Sequence, residues 1–76
     1  MVFNEGDRVM CVEDVDDNGM IVGEFGAVAM VENGQCLVVF DVDVDGHDGD
    51  GSGRYGHCWW CPCEALELEN FTLENE

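Results

Sequence analysis

Short apolar runs alternate with polar, glycine-containing segments along the chain, and this pattern predicts β-strands joined by tight turns. Asn33-Gly34 lies between two apolar runs, which favours a two-residue hairpin, and a second turn is predicted over residues 14–19. Apart from residues 64–69, no window has the period of a helix. The predicted strands cover residues 8–13, 20–22, 27–31, 36–44, 55–61 and 66–68.

The longest of these strands, residues 36–44, alternates strictly between apolar and acidic side chains after Val39. Phe40, Val42 and Val44 are predicted to share one face. The other face then carries Asp41 and Asp43, and it also carries Asp45 if the strand continues. Carboxylates on one face of a strand recur about every 6.7 Å, which is comparable with the spacing of phosphates along a nucleic-acid strand.

The glycine and valine positions resemble those of SH3-like barrel modules of the KOW kind. The resemblance covers residues 5–44 and implies an all-β fold, a small SH3-like barrel of about five antiparallel strands. An acidic glycine-rich loop over residues 45–53 follows the long strand. We expect a single domain over residues 1–76, with residues 69–76 as a flexible tail. The resemblance is carried by Gly6-Asp7-Arg8-Val9, Gly23-x-x-Gly26-x-Val28 and Val38-Val39-Phe40-Asp41.

The charge of the chain changes the functional expectation. Its 76 residues include 18 acidic residues, two arginines and no lysine, for a formal charge of −16, yet 46% of the residues are hydrophobic. Acidic disordered tails lack that apolar content, so we expect a folded polyanion. Binding to nucleic acid or to an anionic membrane requires basic side chains, and two are too few. No signal peptide or membrane span is recognisable, which predicts a cytoplasmic protein.

The sequence therefore predicts a basic, nucleic-acid-binding host protein as the partner. By its character the chain resembles small acidic bacteriophage proteins that imitate DNA and inhibit restriction enzymes or CRISPR effectors. The segment from Gly46 to Trp60 also resembles one found in small bacteriophage proteins. Two alternatives stay open: an ordinary solvated acidic face, and adaptation to a halophilic habitat. The candidate partner-binding residues are Asp14, Asp16, Asp17, Asp41, Asp43, Asp45, Asp48, Asp50, Glu64 and Glu67.

Five cysteines are an odd number, which disfavours a disulfide framework. His57, Cys58, Cys61 and Cys63 form a compact set of soft ligands, and a small zinc-binding module is the alternative function. No cofactor is otherwise required. Enzymatic activity is not expected, because adjacent residues such as His57 and Cys58 point apart on a strand.

Large apolar side chains give two further expectations. One of the adjacent indoles Trp59 and Trp60 must face inward and the other outward on a regular strand, and an outward indole could anchor an interface. The methionines Met10, Met20 and Met30 exceed the need of one barrel face, which hints at a homodimer.

Overall fold

The computed structural model describes residues 3–69, and that part of the chain contains five β-strands and two single turns of 3₁₀ helix, without an α-helix. None of its helices is long and apolar enough to cross a membrane. The 3₁₀ turns are Gly19–Ile21 and Cys63–Ala65. The strands are β1 (Arg8–Cys11), β2 (Phe25–Glu32), β3 (Gln35–Phe40), β4 (Cys58–Pro62) and β5 (Leu66–Leu68).

All five strands belong to one antiparallel sheet in the order β4-β3-β2-β1-β5, so the prediction of an all-β fold with about five antiparallel strands is confirmed. The β2–β3 hairpin also forms as predicted. Asn33 and Gly34 have φ angles of 49° and 80°, and Glu32 pairs with Gln35 on either side of them. Two successive positive φ angles are typical of the turn that matches the twist of a two-residue hairpin.

The core lies on one face of the sheet because alternate residues of each strand point toward it. On β3 these residues are Cys36, Val38 and Phe40, and Val9 and Cys11 of β1 join them. Segments between the strands add further side chains to the same cluster, which are Phe3, Val15, Ile21 and Val44. Of the residues described, no polar or charged side chain is buried, so every described carboxylate reaches solvent at least in part.

The predicted strand over residues 36–44 is wrong in its second half, since β3 ends at Phe40. Phe40 pairs with Gly26. Asp41 donates its backbone N–H at 2.9 Å to the carbonyl oxygen of Phe25, and Phe25 is the first residue of β2. Beyond that point β3 has no pairing partner on β2. The apolar–acidic alternation of the sequence continues past Phe40, but it no longer marks one strand face. Val44 turns back into the core, whereas Val42 is 44% exposed. Asp41, Asp43 and Asp45 therefore do not form a row on one strand face.

The segment between β3 and β4, residues 41–57, is longer than the predicted loop of residues 45–53, and we call it the β3–β4 connection. It folds back over the face of the sheet opposite the core. An added Cβ on Gly53 would lie 2.7 Å from Val39 Cγ1 and 2.9 Å from Cys58 Sγ. Glycine is required there because no side chain fits between the connection and the sheet. The connection thereby buries Leu37 and Cys58 on this second face.

Other element boundaries differ from the prediction for local reasons. Residues 20–22 were expected in a strand, but Gly19–Ile21 is a 3₁₀ turn whose start is capped by the Asn18 side chain. The strand expected over residues 55–61 begins only at Cys58, since Gly56 has a φ of 91°. Glu69, predicted in the flexible tail, donates its backbone N–H to Arg8 O at 2.9 Å. Residues 70–76 of that tail lie outside the described residues.

Candidate partner-binding surface

Trp59 and Trp60 face opposite sides of β4, as the sequence predicts. Trp59 pairs with Val38 and packs against the core. Trp60 pairs with Leu37 on the second face and is partly exposed. Three surface grooves share Trp60 as one of their walls. This indole therefore borders all three of these grooves.

The first groove lies between the β2–β3 hairpin and the β3–β4 connection, with a volume of about 410 Å³. Its apolar lining comes from Met30, Leu37 and Trp60, and its acidic lining from Glu32, Asp48 and Asp50. His47 and Gly49 complete the wall.

Backbone pairing fixes the connection beside this groove. His47 exchanges two backbone hydrogen bonds of 3.0 Å with Cys58, so one residue of the connection is held like an extra strand against β4. Asp48 Oδ1 accepts the backbone N–H of Asp50 at 3.0 Å. This turn projects the two carboxylates from a fixed backbone, which reduces the entropy lost when a ligand binds there.

A second acidic groove lies on another side of Trp60, where the segment after β1 approaches β4. Its lining includes Glu13, Asp14 and Asp16. Asp16 and Asp17 have φ angles of 56° and 62°, and Asn18 donates its backbone N–H to Val15 O at 2.9 Å. The tight turn in this segment is thus formed by the two aspartates. We call the six carboxylates that line grooves shared with Trp60 the acidic rim: Glu13, Asp14, Asp16, Glu32, Asp48 and Asp50.

Asp41, the first residue of the predicted acidic row, is paired with an arginine instead of standing free. Arg8 Nη1 and Nη2 donate to its two carboxylate oxygens at 2.9 and 2.6 Å, and Arg8 Nε donates to Glu69 Oε1 at 2.9 Å. The hydrogen bonds from Arg8 hold the pKa of Asp41 below its usual value. The charge of Asp41 is therefore compensated within the fold by Arg8.

The remaining predicted residues are exposed but are not gathered around Trp60. Asp43 accepts the backbone N–H of Asp45 at 2.8 Å, and an added Cβ on Gly56 would lie 2.8 Å from its carboxylate. Asp43 thus supports the turn of the β3–β4 connection. Four others are exposed and line none of the grooves shared with Trp60: Asp17, Asp45, Glu64 and Glu67.

The four predicted zinc ligands are not brought together. Cys58 lies on the second face beneath Gly53, whereas Cys61 lies in the core. The ring Nδ1 of His57 is 2.9 Å from Phe40 O, so this nitrogen is already engaged with the backbone. Within residues 3–69 no group of three or more histidine, cysteine or acidic side chains has an arrangement suited to a metal ion. In this arrangement Cys58 and Cys61 do not face a common metal position.

Cys11, Cys36 and Cys61 lie in the core as free thiols, and Cys58 is a free thiol buried on the second face. Cys36 and Cys61 face each other across β3 and β4, and Cys36 Sγ lies 3.7 Å from Cys63 Sγ. Burial, with the neighbouring Cys63 thiol, raises the pKa of Cys36 to about 12. A hydrogen bond with Cys11 and burial likewise raise the pKa of Cys61. Thiols with such pKa values are inert hydrophobic groups rather than nucleophiles at neutral pH.

Comparison of the chain with known protein families, with curated proteins and with solved structures finds no match.

Sequence reasoning missed Glu13 and Glu32 as members of the acidic rim, and it did not decide which indole is exposed. Glu32 is the last residue of β2, directly before the hairpin turn. Its place beside Trp60 follows from the β3–β4 register, in which Gln35 pairs with Pro62. The hairpin signal was visible in the sequence, but this register was not.

Proposed function

We propose that this chain is an acidic, phage-type inhibitor that imitates nucleic acid and blocks the basic groove of a host DNA- or RNA-binding protein, such as a CRISPR effector or a restriction enzyme. The observation that supports this function best is the acidic rim, where six carboxylates from three separate segments surround the partly exposed indole of Trp60. A basic groove built to hold phosphates offers the complementary charge.

Charge of this density also supports rapid capture of a basic target. Long-range attraction raises association rates by one to three orders of magnitude at low salt, and salt screens it. The apolar content of the three grooves supplies what charge alone does not, since desolvated aromatic groups carry much of the affinity at protein interfaces. The proposal is therefore a protein interface that imitates a polyanion.

An SH3-like barrel is the fold we propose for this function, and the short link between β4 and β5 supports it. These strands are the two edges of the sheet, and only Cys63–Ala65 connects them. Five flat strands would hold their edges about 19 Å apart, whereas four residue steps span at most about 14 Å. The short link therefore favours a strongly curled sheet whose edges approach each other, as the proposed barrel requires.

The direct test is competition in a nuclease assay. Purified chain is added to a panel of CRISPR effectors and restriction enzymes, and DNA binding is measured by gel shift at 50 and 500 mM NaCl. We expect the chain to displace DNA from at least one member and to lose potency at high salt. Inhibition that is equal at both salt concentrations, or binding that DNA does not compete, would refute the mimicry.

A melting curve separates mimicry from the halophilic alternative. If the acidity serves a partner, the chain must be folded at 0.1 M KCl. A chain that folds only near 3 M KCl needs the salt to screen its own repulsion, and its charge then says nothing about a partner. The zinc-binding alternative is not favoured by any contact in the described residues, because Cys58 and Cys61 lie on opposite faces of β4.

A further inference from the structure

We infer that the first groove beside Trp60, between the β2–β3 hairpin and the β3–β4 connection, is the binding site for an arginine side chain of the basic partner. This inference rests on the proposed function, and it names the anchor through which a basic partner is held. The groove has an apolar floor of Met30 and Leu37, one aromatic wall and three carboxylates at its margin.

The chemistry of the lining selects the occupant. A cation above the face of an indole is attracted by the ring quadrupole, and tryptophan is the best aromatic residue for this interaction. Glu32, Asp48 and Asp50 supply carboxylate acceptors at the same groove. An arginine uses both features at once, since its planar guanidinium stacks on aromatic rings and binds carboxylates through a fork of donors.

Lysine fits the same groove less well. Its ammonium is a compact and strongly hydrated point charge, which must lose more water to reach a partly apolar groove. The (CH₂)₃ stem of an arginine, by contrast, can cover Met30 while its head stays at the acidic margin. The site therefore predicts a preference for arginine over lysine. A nonspecific attraction by the net charge would give no such preference.

Two classes of variant isolate the site within the full chain. Trp60→Leu removes the aromatic face, and Tyr55→Leu is its control, because Tyr55 is 78% exposed and lines none of the grooves shared with Trp60. The set Glu32→Gln, Asp48→Asn and Asp50→Asn removes three charges at the groove. The set Glu5→Gln, Asp17→Asn and Glu67→Gln removes three charges elsewhere and controls for net charge.

The probe is an eight-residue glycine peptide with two arginines, compared by calorimetry with its lysine and citrulline twins. We expect the arginine peptide to bind several-fold more tightly than the lysine peptide, and the citrulline peptide not to bind. Trp60→Leu should weaken arginine binding roughly three- to ten-fold, while Tyr55→Leu leaves it within about two-fold. The groove triple variant should weaken binding more than the control triple variant.

Equal binding of the arginine and lysine peptides, equal effects of the two triple variants, or equal effects of Trp60→Leu and Tyr55→Leu would overturn the inference. Nuclear magnetic resonance of the unaltered chain covers the case in which Trp60→Leu fails to fold. Addition of the arginine peptide must then shift the indole signal of Trp60 more than that of Trp59, and the reverse result overturns the site. If Trp60→Leu displaces an enzyme from DNA as well as the unaltered chain does, the arginine site is refuted but the proposed function is not. If DNA does not compete with the chain for the enzyme, the proposed function itself is refuted.

Discussion

Replacing Gly46 by alanine is expected to weaken the attachment of the β3–β4 connection to β4. The backbone of Gly46 lies directly against the Cys58 carbonyl oxygen, and an added Cβ would overlap it. The same Cβ would lie 3.2 Å from Trp59 Cε3. Because the first obstacle is backbone within the sheet, it cannot rotate away as a flexible side chain would.

The expected loss in the free energy of unfolding is set by whichever of two structural responses to the added Cβ costs less. If the connection stays in place, overpacking costs about 1–3 kcal/mol. If residues 46–47 lift away from residues 56–58, up to four backbone hydrogen bonds are lost: Gly46 N to Gly56 O, Gly56 N to His47 O, and the pair between His47 and Cys58, all of 2.9–3.1 Å. At about 1 kcal/mol each, the second response costs about 2–4 kcal/mol. We therefore expect a loss of about 2–3 kcal/mol from a total of about 4–11 kcal/mol for a chain of this length.

Urea unfolding followed by tryptophan fluorescence measures this loss, and a thermal scan should show a melting temperature about 10–20 °C lower. Gly19→Ala is the matched control, because its added Cβ meets no atom within 4 Å and its φ is not positive. The control should stay within about 0.5 kcal/mol of the unaltered chain. Equal losses in the two variants, or a loss below about 0.5 kcal/mol for Gly46→Ala, would refute the account of how the connection is held.

Three further predictions concern ionisable groups. A double-mutant cycle on Arg8 and Asp41 should give a coupling of up to about 1 kcal/mol at low salt, since the side chains are 40% and 50% exposed. Arg8 lowers the folded-state pKa of Asp41, so this coupling should be present above the unfolded pKa of about 3.9 and disappear as the pH falls through the lower folded value. Mass spectrometry after brief treatment with iodoacetamide should find Cys63 modified first, because it is only partly buried while the other four cysteines are buried; equal labelling of all five would contradict the fold. The pKa of Cys36 is raised to about 12 in the folded chain, whereas the unfolded thiol ionises at about 8.5. The free energy of unfolding should therefore fall as the pH rises between these two values, and urea titrations at pH 8 and 10 measure this fall.

The parts of the fold that local chemistry determines could be predicted from the sequence. The turn at Asn33-Gly34 was predicted correctly because two residues that tolerate positive φ fix the hairpin whatever surrounds it. The end of β3 at Phe40 was not predictable in the same way, since it depends on where its neighbour β2 begins. Alternation alone cannot reveal that pairing has stopped while Val44 still turns inward.

The candidate site was predictable only in its chemistry. Composition indicated an acidic surface that suits a basic partner, and the Trp59-Trp60 pair indicated one outward indole. The grouping around Trp60 depends on contacts between segments that are distant in the chain, from Glu13 to Asp50. Of the residues expected to lead the site, Asp41 is paired with Arg8, and Asp43 supports a turn in the same way as Asp48 does within the acidic rim.

The pairing of β1 with β5 has a consequence for how the chain is made. Val9 lies opposite Leu68, so β1 can pair its second edge only after β5 has been synthesised. Such distant pairing is slow, and during translation β1 can complete its hydrogen bonds only after residues 66–68 have left the ribosome. Until then β1 exposes an open edge of the kind that promotes aggregation. The high negative charge of the nascent chain would repel neighbouring copies during this interval and so protect the open edge from aggregation.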